Sequence, residues 1–558
     1  MILIRYPLGR TGVRDLILSA YSFPQFYLPH PLKSSSPLFR PSFCYCLILL
    51  ALGLSAWAQP DERPNLLFII TDQQRFDAMS NAGNTVVETP NMARIGAEGV
   101  MFRNAYTANP VCVPARASFL TGLTPVNVRV EGNGDYESED IPDVPTFDSV
   151  LVEHGYAAEY YGKWHTPYQF AEVYDNAVKV VGAPGGRAKG LNQIKAYQEY
   201  LLSKGVDPKP PVEGQLFSER NQRPYFPIAL DRHADHANHE VDAKMALNAR
   251  QANQYGRIDL PPHVSYAAFT AEETMAAIDR LKDGPFTLTC SFDPPHPPMI
   301  VQEPYYSMYP PEDIPLPVSM GDPMTDSPYF QQAQTEDQQP YRDPTQIRNM
   351  RSIYYGMIRE VDDWIGEILG KLEEHGILDN TLIVFTSDHG EMLGDHGMHS
   401  KVIFYEGSVH VPLLMRFPKA IKPGVVVEEP VSGLDVFATI LDYLEMPIPE
   451  NNGISLRPFI EGNPVEHDVV SYSVGRDRPN YMIRRGNLKL MMAQSTASKS
   501  INALYDLEAD PHEMRNLIAS PVDPQKNRAQ AEAMKAKLVD WMRRHEPHKA
   551  DDLLQVPL

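Results

Sequence analysis

The chain alternates short continuous apolar runs with a long segment in which apolar residues recur every three or four positions. Continuous runs of this length are typical of strands that are buried on both faces. They are found at 65–71, 156–161, 286–292 and 381–386. The helical spacing covers 347–372, and Gly376 is the expected end of that helix. Strands that alternate with helices predict an α/β fold with a large, mostly parallel sheet sandwiched by helices.

Weaker signals predict further elements. Thr89 and Pro90 favour the start of a helix, with threonine as the N-cap, and Gly99 is its expected end. Near the C-terminus the pattern predicts two short antiparallel strands and a terminal helix, at 481–484, 488–491 and 525–545. We therefore expect a smaller C-terminal subdomain with an antiparallel sheet.

The domain organisation follows from these elements. We expect a catalytic domain at 59–455 and the C-terminal subdomain at 456–558. Stretches near 170–265 and 297–345 are rich in Pro, Gln, Asp and Tyr and interrupt the alternation of strands and helices. They are interpreted as insertions over the carboxyl edge of the sheet, where a substrate would be selected.

The N-terminus has the pattern of an export signal. An apolar stretch at 47–54 follows Lys33 and Arg40, and small residues at 56–58 are typical of a cleavage site. The apolar stretch is too short for a stable membrane span. Residues 1–58 are therefore predicted to be an export segment that directs the protein to the periplasm or outside the cell.

Charge and cysteine content exclude several classes of protein. The formal net charge of the 558 residues is -21, which argues against nucleic acid as a partner. An anionic substrate would have to be attracted by a local basic pocket. Of the four cysteines, only Cys112 and Cys290 lie beyond the N-terminal stretch, so no disulfide framework is expected. We also expect no bridge between these two.

Polar side chains follow each of the four predicted strands. The groups are Asp72-Gln73, Lys163-Trp164-His165, Asp293-Pro294-Pro295-His296 and Asp388-His389. In open α/β sheets ligands bind at the carboxyl ends of the strands, so these groups are expected to converge on one crevice. Their carboxylate, amide and imidazole groups predict a site for one divalent cation.

The most specific motif is the run Cys112-Val113-Pro114-Ala115-Arg116, followed by Leu120-Thr121-Gly122. A lone cysteine before a proline is ordinarily a packed thiol. Here the run, together with the strand-end groups, resembles the type I, formylglycine-dependent sulfatases of the alkaline phosphatase-like superfamily. The resemblance covers most of 64–420 and implies that Cys112 is converted to formylglycine by a maturation enzyme.

The resemblance also implies a role for each matching residue. The metal ligands would be Asp72, Gln73, Asp388 and His389, together with the formylglycine made from Cys112. Arg116 matches the arginine that steadies the hydrated aldehyde. The residues that match sulfate-binding and proton-transfer positions are Lys163, His165, His296 and Lys401.

The metal-ligand set departs from the pattern of many sulfatases. They have Asp-Asp and Asp-Asn where this chain has Asp72-Gln73 and Asp388-His389. Calcium prefers an all-oxygen shell, whereas an imidazole suits a transition metal. Ca²⁺ is expected on family grounds, and Mg²⁺, Mn²⁺ or Zn²⁺ remain open. The same combination resembles phosphonate monoester hydrolases and choline sulfatases.

Three functions are therefore compared. The leading hypothesis is an exported sulfatase acting on a sulfated carbohydrate or a small sulfate ester. The alternatives are a phosphonate or phosphate monoester hydrolase of the same superfamily and a non-catalytic ligand-binding homologue. Two basic groups have only weak functional signals. His233, His236 and His239 are interpreted as a solvated insertion helix, and Arg476, Arg478 and Arg484 as surface residues, although either group would suit an anionic substrate.

Overall fold

The computed structural model describes the chain over most of its length after the predicted export segment. The described residues are 62–137, 141–166, 180–181, 197, 199–207, 212–216, 254–297, 299–474, 478–494, 496 and 500–558. They belong to one compact unit that spans 60–558. The predicted export segment 1–58 and the three histidines at 233, 236 and 239 lie outside the described residues.

Within the described residues, the strands form one large sheet and three small ones. In chain order they are β1 Asn65–Thr71, β2 Val100–Phe102, β3 Ala105–Tyr106, β4 Ala157–Lys163, β5 Val180–Val181, β6 Val212–Leu216, β7 Gln254–Ile258, β8 Phe286–Ser291, β9 Met299–Val301, β10 Thr381–Ser387, β11 His410–Val411, β12 Leu413–Arg416, β13 Val425–Val427, β14 Val431–Ser432, β15 Val469–Tyr472, β16 Tyr481–Arg485, β17 Leu488–Met492 and β18 Ala503–Asp506. The eight-stranded sheet has the order β13-β2-β12-β10-β1-β8-β4-β5, and only β12 runs antiparallel to its neighbours. The four predicted strands lie side by side at the centre of this sheet, in the order β10-β1-β8-β4, and all four are parallel.

Helices cover both faces of this sheet. They are α1 Pro90–Ala97, α2 Cys112–Thr121, α3 Phe147–Glu153, α4 Tyr266–Leu281, α5 Phe330–Ala333, α6 Pro344–Glu374, α7 Glu406–Val409, α8 Asp435–Tyr443, α9 Arg457–Ile460, α10 Pro524–His545 and α11 Pro547–Gln555. Short 3-10 turns lie at Ser80–Ala82, Asn133–Glu137, Pro262–Val264, Pro311–Asp313, Val318–Gly321, Glu336–Arg342, Leu378–Asn380 and Asp395–Gly397. The sandwiched, mostly parallel sheet confirms the predicted fold class.

Strand β1 contributes side chains to two apolar clusters, one on each face of the large sheet. Its side chains point alternately to opposite faces of the sheet. Leu67 and Ile69 join an apolar cluster with α1, α4 and α6. Leu66, Phe68 and Ile70 join another with α2, α3 and α8. Because both faces of the sheet are covered, the side chains in the middle of β1 are apolar on both sides. A strand with one exposed face would instead alternate apolar and polar residues.

The predicted helices are present, with two local differences. The long helix α6 begins after Asp343, whose carboxylate caps the backbone N–H of Thr345, and Gly376 ends it with φ 66°. Thr89 precedes α1 but its hydroxyl accepts from the Ser80 backbone instead of capping the helix. Helix α1 ends at Ala97, before Gly99, where a Cβ would lie 2.0 Å from a backbone oxygen of β12.

The C-terminal region forms a four-stranded antiparallel sheet in the order β15-β16-β17-β18. Helix α10 packs on it and coincides with the predicted terminal helix, and α11 follows it unpredicted. The boundary between 455 and 456 stays a prediction. Arg484 was wrongly interpreted as a surface residue. It lies 5% exposed on β16 and donates to the hydroxyl of Tyr106, at 2.5 Å.

Within the described part of the chain, every helix is either too short or too polar to pass through a lipid bilayer.

Candidate active site

The turn after β1 places the first pair of polar side chains. Asp72 and Gln73 are buried, and Gln73 has a φ of 72°, which is uncommon for a residue with a side chain. Two neighbours hold this conformation. The Gln73 backbone N–H donates to Asp388 at 3.0 Å, and the hydroxyl of Tyr354 on α6 donates to the Gln73 carbonyl at 2.7 Å.

The turn after β10 lies beside it because β1 and β10 are adjacent and parallel. Asp388 continues the pairing, its N–H donating to the Thr71 carbonyl at 3.2 Å. Gly390 follows the Asp388-His389 pair, and an added Cβ there would lie 2.1 Å from the carbonyl of Gly407. Only glycine therefore allows the chain to pass so close to α7.

Cys112 is the first residue of α2, a helix whose ten residues are all buried. The thiol lies 3.0 Å from Lys401 Nζ and 3.2 Å from His389 Nε2. The His165 side chain also lies beside the thiol and contributes to lowering its pKa. Cys112 and Cys290 are both free and buried, as expected.

The donor set fits a divalent cation. Ligand atoms of Asp72, Cys112, Asp388 and His389 all lie within 4.8 Å of one another. The Nδ1 of His389 is 3.0 Å from the Gly390 carbonyl, and donation there leaves the Nε2 lone pair facing the carboxylates. The amide oxygen of Gln73 contacts Lys401 Nζ, which in turn contacts the thiol, so this oxygen lies at the same cluster.

Arg116 holds the two carboxylates in place. One helical turn after Cys112, its guanidinium is 3% exposed and lies 2.9 Å from Asp388 and 3.4 Å from Asp72. It also donates to the Lys163 carbonyl at 3.0 Å and to the Ser291 hydroxyl at 2.8 Å. The fixed fork of donors therefore ties together the ends of β1, β4, β8 and β10.

Two lysines from distant parts of the sequence lie at the cluster. Lys163, the last residue of β4, lies 2.6 Å from Asp72 and 3.2 Å from Asp293. Lys401 lies 4.0 Å from Asp72 and 2.8 Å from the Gln73 amide oxygen. Both ammonium groups are thus at the same carboxylate as the thiol.

His165 and His296 complete the set that was predicted from the sequence. His165 follows Trp164 with a φ of 45°, and its side chain reaches the Cys112 thiol. The Nε2 of His296 lies 4.0 Å from Asp72, and its Nδ1 is 2.6 Å from the Pro297 carbonyl. All ten sequence-predicted residues therefore lie in one place, although their roles stay predictions.

The charges of the cluster shift its acids in a consistent direction. Burial, followed by the neighbouring thiol, would raise the pKa of Asp72. The positive charges of Lys163, His296 and Lys401 outweigh both and hold that pKa well below its usual value. Burial likewise opposes ionisation of Cys112, but the nearby cations, Lys401 first, hold the pKa of the thiol well below its usual value.

Asp388 behaves in the opposite way. Burial and the Asp72 carboxylate raise its pKa, although His389 and Arg116 oppose the shift. Despite its burial, His389 has a raised pKa because Asp388 is beside it. The Asp72 and Asp388 carboxylates are buried and have ligand atoms within 4.8 Å of each other, so they repel. A divalent cation between them would remove that repulsion.

The sequence did not point to several residues that support the site. Glu391 is buried and accepts from the Gln73 amide, Ser291 accepts from Arg116, and Asn133 accepts from the Val113 N–H at 3.1 Å. Glu391 follows the Asp388-His389-Gly390 run directly, which was the only available signal. Ser291 lies near the end of the predicted strand that precedes Asp293, but a serine inside an apolar run gave no signal of its own, and Asn133 lies in a segment without a recognisable motif.

The segment predicted as an insertion at 297–345 contacts the loop that carries Lys401. His396 Nδ1 lies 2.8 Å from Asp322, and the ring of His399 stacks on Tyr341 with centroids 3.9 Å apart. Arg478, in the connection between β15 and β16, donates to Gln332 in the same segment at 3.3 Å. Of the other segment, 170–265, only short parts are described, and Arg476 lies outside the described residues.

Comparison with known proteins identifies the family. A family model described as Sulfatase matches residues 64–446, and one described as the C-terminal part of N-sulphoglucosamine sulphohydrolase matches residues 394–544. An arylsulfatase of Clostridium perfringens is 30% identical over 475 residues, covering 82% of this chain and 91% of its own.

Two further similar proteins are named for different activities. An N-acetylglucosamine-6-O-sulfatase of Bacteroides thetaiotaomicron is 28% identical over 509 residues, covering 84% of this chain and 86% of its own. The crystal structure of a phosphonate monoester hydrolase of Agrobacterium radiobacter superposes with a TM-score of 0.67 at 25% identity, covering 87% of this chain and 96% of that one.

Proposed function

Because this chain belongs to the sulfatase family and is a sulfuric ester hydrolase, we propose that it uses a formylglycine made from Cys112 to desulfate a carbohydrate. The main support for this proposal is the position of the Cys112 thiol, which lies between Lys401 at 3.0 Å and His389 at 3.2 Å. A nucleophile at this position would meet an anionic ester among fixed positive charges.

The cation in this proposal would be held by Asp72, Gln73, Asp388 and His389. When bound, it would polarise a sulfuryl oxygen and stabilise the charge that builds up on it. Calcium is proposed on family grounds, with Mg²⁺, Mn²⁺ and Zn²⁺ as alternatives. The hydrated formylglycine would supply one hydroxyl to attack sulfur and a second whose deprotonation permits release.

The chain's own residues would bind and orient the sulfate group. Lys163 and Lys401 would each pair with a sulfuryl oxygen, exchanging their present contacts with Asp72 and Gln73 for the substrate. Arg116 would keep both carboxylates ionised and aimed at the cluster. Oxyanion stabilisation by donors fixed in advance is usually a large contribution to catalysis, because no reorganisation is needed.

In this proposal three side chains would move protons, and a fourth is an alternative for one step. Asp388, next to the nucleophile, would accept the proton of the attacking hydroxyl. His296 presents Nε2 near Asp72 while its other nitrogen faces the Pro297 carbonyl, so as an imidazolium it would protonate the leaving alcohol. Lys401 is the alternative donor. His165, in contact with the thiol position, would accept the proton that accompanies release.

A carbohydrate substrate is supported by relatives and by the composition of the surrounding segments. The Bacteroides thetaiotaomicron relative is named for a sulfated amino sugar. The predicted insertion at 297–345 is rich in polar residues and tyrosine and contacts the loop that carries Lys401, since Asp322 lies 2.8 Å from His396. Aromatic faces with polar edges suit a sugar ring. Desulfation assays on defined sulfated oligosaccharides, with choline sulfate and an aryl sulfate as small-ester comparisons, would identify the class. Turnover confined to the small esters would contradict the carbohydrate proposal.

A phosphonate or phosphate monoester hydrolase is the second candidate. Gln73 and His389 in the cation set and the similarity to the phosphonate monoester hydrolase structure support it. Rates on aryl sulfate and aryl phosphonate esters measured with one preparation separate the two activities. A strong preference for the phosphonate would overturn the sulfatase assignment of the substrate, whereas ligand binding without turnover in matured protein would support a non-catalytic homologue.

Export and maturation are part of the proposal. Residues 1–58 would direct the protein to the periplasm or outside the cell, and a formylglycine-generating enzyme would be its partner before folding buries Cys112. The mass of the peptide that contains Cys112 tests this directly, because conversion of a thiol to an aldehyde changes it. An unmodified thiol in fully active protein would overturn the proposed nucleophile.

A further inference from the structure

Glu391 makes contacts that join the cation cluster to the loop carrying Lys401. It is 1% exposed, and one carboxylate oxygen accepts a hydrogen bond from the side-chain amide of Gln73. The other oxygen accepts from the backbone N–H groups of Ser400 and, at 3.3 Å, Leu393. A single buried carboxylate thus touches a predicted cation ligand and the residue before Lys401.

The two neighbours of the Gln73 side chain fix which way its amide points. Lys401 Nζ can only donate, so the Gln73 atom 2.8 Å away must be the oxygen. Glu391 as a carboxylate can only accept, so the atom it contacts must be the NH₂ group. A glutamine ligand is useful to a cation only in this orientation, because the reversed amide presents hydrogens to it.

We propose that Glu391 is a positioning residue that keeps the oxygen of Gln73 facing the cation, and so determines cation affinity. This inference rests on the cation site of the proposed function. It explains why a neutral amide is tolerated where many relatives have a second carboxylate. A carboxylate has no wrong orientation, whereas an amide needs a partner that selects one.

The variant Glu391→Gln isolates this role from loop anchoring. The oxygen of the new glutamine can still accept from Ser400 and Leu393, so that contact is kept. Its NH₂ group then faces Gln73, which must turn its own oxygen away from the cation to accept the hydrogen bond. The expected result is calcium affinity reduced by about 10- to 100-fold, the usual effect of removing a partner that orients a metal ligand.

The reversed pair Gln73→Glu with Glu391→Gln provides the rescue. Glutamate at 73 offers oxygens on both sides, and the amide at 391 donates to one of them. Calcium affinity is expected to return to at least the wild-type range. Glu360→Gln is the matched control, because Glu360 is an equally buried glutamate that accepts from Gln302 and lies outside the cation cluster. It should leave calcium affinity unchanged.

Calorimetric titration of CaCl₂ into the chelator-treated full chain measures these affinities without reference to turnover. A Glu391→Gln variant that binds calcium as tightly as wild type would overturn the inference. So would a double variant as weak as the single one, because the defect would then come from the loop. If the single variant does not fold, recovery of a folded, calcium-binding double variant supports the pairing and continued failure overturns it. Wild-type protein that binds no divalent cation would overturn the cation site itself.

Discussion

The hydroxyl of Tyr354 donates a hydrogen bond of 2.7 Å to the backbone carbonyl of Gln73. The same hydroxyl accepts from the Arg75 N–H at 3.0 Å. Tyr354 lies on α6 and is fully buried, so this contact holds the strained turn after β1 against the longest helix among the described residues. The geometry of the cation ligands therefore depends on a helix that contributes no ligand itself.

Replacing Tyr354 with phenylalanine tests this dependence. The variant leaves one buried donor and one buried acceptor unpaired, at a cost of about 1–3 kcal/mol each. We expect a lower free energy of unfolding in urea and a reduced kcat. Tyr355→Phe is the control, because the Tyr355 hydroxyl has only a 3.3 Å hydrogen bond from the Asn84 side chain. Equal effects in both variants would show that the turn does not need this anchor.

A Cys112→Ser variant produced where no enzyme converts serine should lose the proposed turnover while keeping its fold. The serine hydroxyl would occupy the thiol position beside Lys401, but it lacks the second hydroxyl that permits release. Single-turnover and steady-state rates on an aryl sulfate, with circular dichroism for the fold, measure this. Cys290→Ser is the control, because Cys290 is buried in β8, where burial raises its pKa to about 12, away from the cluster. Steady-state rates at the wild-type level in Cys112→Ser would contradict the mechanism.

His389→Asn would make the cation site resemble the Asp-Asn pattern of many sulfatases. Exchanging an imidazole for an amide oxygen favours Ca²⁺ over transition metals, since calcium prefers oxygen ligands. We expect the ratio of Ca²⁺ to Mn²⁺ affinity, measured by competition on chelator-treated protein, to rise in the variant. A ratio that stays constant would mean that His389 does not contact the cation.

The raised pKa of Glu360 predicts a pH dependence of the free energy of unfolding that does not involve the active site. Burial raises its pKa from 4.5 to about 7. Below pH 4.5 the group is protonated in both the folded and unfolded chain and has no effect. Between pH 4.5 and 7 only the unfolded chain loses its proton, so the stability of wild type falls as pH rises and the loss is complete above pH 7.

Glu360→Gln removes this loss because the amide is neutral at every pH and can still accept from Gln302. The variant should gain stability over wild type as pH rises, by up to about 3 kcal/mol. Urea unfolding at pH 5 and pH 8 measures the difference, in which other titrating groups cancel. A variant with the same advantage at both pH values would contradict the raised pKa.

The strand-end residues of the site were predictable for a physical reason. Buried parallel strands produce continuous apolar runs, and the polar residue after each run marks the sheet edge where ligands bind. Asp72 and Asp388 could therefore be placed together without knowing the fold in detail, because β1 and β10 are neighbours. The motif at Cys112 then indicated the chemistry of the crevice between them.

Helix α2 could not be predicted in the same way. All ten of its residues are buried, so it lacks the alternation of apolar and polar faces from which a helix is recognised. Arg484 escaped for a related reason. A charged residue on a short strand is ordinarily predicted to face solvent. Arg484 is buried only because β16 packs against Tyr106.

By itself, the sequence determined the family, the fold class and the ten residues that meet at the site, because each depends on local patterns of apolar runs and on residue types. The tertiary structure alone decided how those residues are oriented. The amide of Gln73 is set by Glu391 and Lys401, and its backbone is held by Tyr354, all from distant parts of the chain. Orientation depends on hydrogen-bond partners that folding brings into contact, and no local pattern records them.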